Sequence, residues 1–239
     1  MEPRIPAGIE PPANVLLVDA NAREPNACTE RCYETDSTAA LTVSFVDDRL
    51  EQPDPDEVDG RVGLLTIGDD LFDERADSDP DFADSVVVDS VCDPTDLSEI
   101  GIAVSRFCEH WFDDGEQIAV CFESLDALIR YRSPKEVFQF THILLGRLES
   151  VDADAHVHFD PSRHEDRLVS AFGSVFDAVI VDENADRSLP EATDEEVEEL
   201  LAAWSEASEN GLGLEADPST EATDEEIARV LGNEGNTTR

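Results

Sequence analysis

Short, nearly unbroken apolar runs are the feature that most constrains this chain. Asn14-Val-Leu-Leu-Val-Asp19, Gln117-Ile-Ala-Val-Cys-Phe122 and Ala178-Val-Ile-Val181 are each too short for a helix and lack the alternation of a strand with one wet face. Such segments suit strands buried on both faces of a parallel sheet. Leu41 to Val46, Arg61 to Gly68, Ser85 to Asp89 and Ala155 to Phe159 complete a set of seven predicted strands. Between several of them the period changes to that of a helix. Ile100, Val104, Phe107 and Trp111 fall on one face of a segment opened by Asp93-Pro-Thr-Asp-Leu-Ser98, and Val137, Phe140, Ile143, Leu144 and Leu148 on one face of Lys135 to Ser150. A further helix is predicted from Arg163 to Phe172, and another starting at Glu123-Ser-Leu-Asp126. Strands joined by crossover helices give an α/β fold, a doubly wound, mainly parallel sheet covered on both faces.

The surface of this fold is extremely acidic. Against 58 acidic residues stand 16 basic ones, a net charge of -42, and Lys135 is the single lysine. The acid runs through every segment rather than collecting in one tail. Self-repulsion on that scale strains a compact fold in dilute buffer and is screened in concentrated salt, so the composition reads as that of a halophile's protein. It also argues against direct nucleic-acid binding, because no basic stripe is present to displace counterions from phosphates. No apolar window is long enough to span a bilayer and the start shows no export signal, so a cytoplasmic protein without a membrane partner is expected. Five cysteines scattered among apolar residues fit reduced thiols, with Cys92, Cys108 and Cys121 in the core.

Three regions follow from composition: a proline-rich arm over 1–12, a domain over 13–183, and an acidic helical tail over 184–239. In the tail, Pro190-Glu-Ala-Thr-Asp-Glu-Glu196 recurs as Thr220-Glu-Ala-Thr-Asp-Glu-Glu226. Thr193 with Glu196, and Thr223 with Glu226, have the spacing of capping boxes opening two short amphipathic helices. Their apolar faces offer Val197, Leu200, Leu201 and Trp204 in the first and Ile227, Val230 and Leu231 in the second as anchors for a partner's groove. Docking of these helices on their own domain, or their remaining loosely helical, is the simpler alternative.

The segments IAVCFESLDALI (118–129), VFQFTHILLGRL (137–148), AHVHFDP (155–161) and FDAVIVD (176–182) resemble the second half of RecA and KaiC-type ATPase domains. More closely, residues 13–182 resemble a group of haloarchaeal KaiC-like proteins of uncharacterised function. The resemblance implies a P-loop NTPase fold, in which the first strand runs into a glycine-rich loop whose backbone N–H groups and lysine hold a triphosphate. Here that stretch is Asp19-Ala-Asn-Ala-Arg-Glu-Pro-Asn-Ala-Cys-Thr-Glu-Arg-Cys32, with no glycine, no lysine and a proline in its middle. Such a loop neither wraps nor neutralises phosphate, so the phosphate-binding loop is lost and no cofactor, ATP included, is expected.

The resemblance places a magnesium-polarising acid at Glu123, beside Ser124, at the carboxyl end of a strand where doubly wound sheets bind ligands. Asp19, Glu123, Ser124 and Asp160 are thus the candidate cleft, although a cap for the following helix is the simpler explanation of Glu123 or Ser124. His156 and His158 share one face of a strand, with Asp160 and His164 nearby, but no converging fourth ligand is marked and no metal site is expected. Cys28 and Cys32 lie four apart, without the spacing of a metal finger or redox pair. No catalytic triad is marked, and the chain is not expected to be an enzyme. The function expected is a non-catalytic regulatory or signalling interaction protein on a degenerate core, with a KaiC-like or signalling protein as partner. The alternatives are a divergent nucleotide-binding protein or ATPase using Glu123, and an inactive subunit of a RecA-like ring.

Overall fold

The computed structural model describes residues 12–18, 39–46, 60–68, 80–181 and 192–211, the last six of these as backbone only. Seven strands, β1 (Asn14–Val18), β2 (Ala39–Phe45), β3 (Arg61–Ile67), β4 (Val86–Val91), β5 (Ile118–Phe122), β6 (Asp154–Phe159) and β7 (Ala178–Val181), form one sheet. The order is β4-β3-β2-β5-β6-β1-β7, and every neighbouring pair is parallel. The chain steps from β1 outward to β4 and then returns through β5 and β6 to β7. That reversal is the doubly wound pattern expected from the alternation of apolar runs. Every residue of β1 and β5 is buried, as strands in the middle of such a sheet must be.

The returning half carries the described helices α1 (Leu97–Asp113), α2 (Leu125–Leu128), α3 (Pro134–Glu149) and α4 (Asp166–Gly173). Local chemistry sets their starts. Asp93 accepts hydrogen bonds from the Thr95 backbone N–H and hydroxyl, at 2.8 and 2.7 Å, making a tight turn that hands over to Asp96. The Asp96 carboxylate then caps the Glu99 N–H at 2.9 Å. Gly115, at φ +80°, follows α1 in a left-handed conformation that favours glycine. In α3, Ser133 and Glu136 make a reciprocal capping box and Pro134 occupies the first turn. The predicted helix from Arg163 starts later, because Asp160 caps a 3-10 turn over Pro161–Arg163 before α4 begins.

Helices α1 and α3 cover one face of the sheet. There Trp111, Phe107, Phe122, Phe159 and Phe172 are wholly buried, with edge-to-face contacts between Phe107 and Trp111 and between Phe45 and Phe122. Gly63 of β3 is the flat spot on which α1 rests. A Cβ there would lie 2.7 Å from atoms of both Phe107 and Trp111. Arg147 of α3 pairs with Glu109 of α1 along the outer rim.

Candidate functional site

In a parallel ladder all carboxyl ends share an edge, so the turns after β5 and β6 stand side by side. Three of the four predicted cleft residues lie there; Asp19 is outside the described residues. The Glu123 N–H donates to the Val43 carbonyl at 2.9 Å, prolonging the pairing of β5 with β2, and its side chain is half-buried. Ser124 occupies the N-cap position of α2, but its hydroxyl makes no cap hydrogen bond. It donates instead to Asp126 Oδ1 at 3.0 Å.

Asp126 is the residue around which this edge is organised. Its side chain is only 5% exposed. Besides the Ser124 hydroxyl, Oδ1 accepts the backbone N–H of Asp160 at 3.3 Å, and Oδ2 lies 4.0 Å from His164 Nε2. The Asp160 carboxylate turns away to accept the Ser162 N–H at 2.8 Å. Ser124 and Asp160 therefore meet through Asp126, which ties the loop after β5 to the loop after β6. Sequence reasoning missed Asp126 as a site residue. An aspartate in the first turn of a short helix reads as an ordinary helix start, and only the register of β5 against β6 brings the Asp160 amide to it.

A second group of polar side chains lies within the sheet itself. Cys121 is the register partner of His156 across β5 and β6, so both point to the same face, and His158 follows two residues on. One donor atom from each lies within 4.8 Å of the other two, and the two imidazole centroids are 5.5 Å apart. Cys121 and His158 are buried and His156 partly so. The expectation that Cys121 is a reduced core thiol is corrected: it is wholly buried, but it is disulfide-bonded. Residue-by-residue apolarity predicts burial and is silent on covalent pairing. Neither Cys108 nor Cys92 is in a disulfide, and burial pushes the Cys108 thiol up to about 12. Cys28 and Cys32 lie outside the described residues.

All seven strands and both polar groups fall within residues 12–181, which match a family pattern as one continuous stretch. The chain belongs to the family of unknown function DUF7504. No curated protein and no solved structure matches it. The DUF7504 region ends at the last residue of β7, before the tail.

The first tail helix, α5 (Asp194–Gly211), opens with the predicted box: the Thr193 N–H and hydroxyl donate to Glu196 Oε2 at 2.8 and 2.9 Å. Up to Ser205 it belongs to the same compact unit as the sheet; residues 206–239 form a second unit, of which only the helical backbone to Gly211 is described. Val197, Leu201 and Trp204 pack against the core, and the Trp204 and Phe138 rings lie 6.5 Å apart. Lys135 Nζ donates to Ser205 Oγ at 2.6 Å, and Arg167 pairs with Glu199 at 3.0 Å. Three of the four anchors offered to a partner by this helix, Leu200 being the fourth, are thus packed on their own domain. Ile227, Val230 and Leu231 lie outside the described residues. Among the described residues, no helix is long and apolar enough to cross a membrane.

Proposed function

We propose that this DUF7504 member is a non-catalytic regulatory or signalling interaction protein, built on a degenerate KaiC or RecA-like core in a halophile's cytoplasm. The observation that carries the reading is the knot at Asp126. The polar groups at the carboxyl edge where a nucleotide and its magnesium would sit are engaged with one another: Ser124 and the Asp160 amide on Asp126, and the Asp160 carboxylate on its own turn. A ligand there would have to displace the two part-buried hydrogen bonds to Asp126, each costly to leave unmade. The stretch after β1, lacking glycine and lysine, offers no phosphate cradle in exchange. With α5 docked through Val197, Leu201 and Trp204, the partner-binding role passes to the second repeat, with Ile227, Val230 and Leu231 as its anchors.

Calorimetric titration of magnesium ATP into the full chain in concentrated potassium chloride tests the reading. No saturable heat is expected. Saturable binding that Glu123→Gln weakens would replace it with the divergent nucleotide-binding protein or ATPase. Partner capture with the full chain and with residues 1–205 supplies the positive arm: a protein held by the first and lost by the second is expected. If that protein is a KaiC-like ATPase with an intact phosphate loop, the inactive ring subunit is the form the interaction takes.

A further inference from the structure

We propose that Cys121, His156 and His158 form a binding site for a zinc-class metal ion, closed while Cys121 is in its disulfide and opened by reduction. The site lies inside the β5–β6 pair and does not depend on the reading of the carboxyl edge. Its geometry comes from two facts of sheet structure. Register sets Cys121 directly across from His156, and the period of two sets His158 on the same face. Three side chains from two central strands are thereby held with their donor atoms within 4.8 Å of one another. Tetrahedral zinc with bonds of about 2.0–2.3 Å draws its donors to about 3.5 Å apart, so each pair of donors has to approach by no more than about 1.3 Å.

The donor chemistry selects the ion. One thiolate and two neutral imidazoles suit zinc and its cobalt analogue, whereas calcium and magnesium require oxygen donors, of which this trio has none. The thiolate contributes one negative charge, which offsets part of the ion's charge among same-face neighbours that include Val15, Leu17, Ala40 and Ala119, with Thr42 directly across from Cys121. A fourth coordination position is left for water or another small donor.

The disulfide sets the switch. A sulfur bonded to a second sulfur carries no charge and is a poor ligand. A dithiol reductant passes two electrons and two protons to the disulfide, yielding the Cys121 thiol and the thiol of its partner cysteine, and itself becomes a disulfide. The Cys121 thiol releases its proton to solvent as the metal binds. Because the ion binds the reduced form alone, it draws the equilibrium away from the disulfide by mass action.

Cobalt(II) titration of the full chain in concentrated salt tests this, with one sample kept oxidised and one reduced by a phosphine that is then removed. The reduced protein is expected to take up one ion with thiolate-to-cobalt charge-transfer absorption, and the oxidised protein to show none. Cys121→Ser should abolish the band. His156→Gln, at the partly exposed position, should weaken binding by at least about tenfold, the scale on which even supporting contacts act. Should Cys121→Ser fail to fold, as judged by circular dichroism, the histidine variant carries the test alone. A reduced protein without the band, a band that survives Cys121→Ser in folded protein, equal uptake by the oxidised form, or undiminished affinity in His156→Gln would each overturn the proposal.

Discussion

The two faces of the central strands differ in kind. On the face covered by α1 and α3, Leu41, Val43, Val120, Phe122, Val157 and Phe159 meet Phe107 and Trp111 in an apolar layer dominated by rings. On the other, the same strands present Thr42, Ser44, Cys121, His156 and His158. Both are largely buried, so solvent exposure does not account for the difference. The lesson is that one β-strand serves two purposes at alternate residues: those on one face hold the fold, and those between them bring reactive side chains together on a rigid base.

That division has measurable edges. The largest effect is expected on the aromatic face, where Trp111→Ala should cost about 3–5 kcal/mol in denaturant unfolding at high salt. A loss below about 1 kcal/mol would erase the distinction. Gly63→Ala should follow at about 1–3 kcal/mol, because the added Cβ would collide with the Phe107 and Trp111 rings held under α1.

Asp126→Ala should destabilise by a similar or smaller amount, about 1–3 kcal/mol, by leaving the Ser124 hydroxyl and the Asp160 amide without their acceptor. Ser124→Ala should cost less, since Asp126 keeps the amide. An Asp126→Ala effect no larger than that of Ser124→Ala would show that the knot is not organised around the carboxylate.

Smaller still is the cap of α3, where Ser133→Ala should cost about 1 kcal/mol near neutral pH. The Ser133 hydroxyl holds the Glu136 carboxyl below its usual range, with lesser help from the Ser133 N–H and Arg132. A folded pKa below the unfolded one means stabilisation that is complete above the ordinary carboxylate range and is lost as pH falls through the folded value. Wild type and Ser133→Ala should therefore converge in stability on acidification, and curves that stay parallel would remove Glu136 from the cap. The least perturbing test is alkylation of native protein at neutral pH, read by peptide mass: Cys108, its thiol raised by burial, should stay unmodified while half-buried Cys92 reacts.

Much of this is legible in the sequence. The strands, α1 and α3, and the Thr193 capping box follow from short-range signals, and all occur where those signals lie to within a few residues. The start of α4 was displaced because Asp160 and Pro161 insert a capped turn whose hydrogen bond has no periodic signature. Glu123, Ser124 and Asp160 stand out in the sequence as polar residues following apolar strands, whereas Asp126 reads only as part of a helix start. The tail helix is amphipathic by its sequence, but amphipathicity does not say which surface the apolar face covers. Phe138 supplies that surface for Trp204.

The sequence by itself determined the α/β class, the burial of the strands and the acidity of the surface, because each depends on neighbours within a turn or two of chain. Tertiary structure alone decided the strand order, the meeting of Asp126 with the Asp160 amide, and the placing of Cys121 beside His156 and His158. Those depend on which strand pairs with which and in what register, a choice made by long-range packing between segments that no local period records.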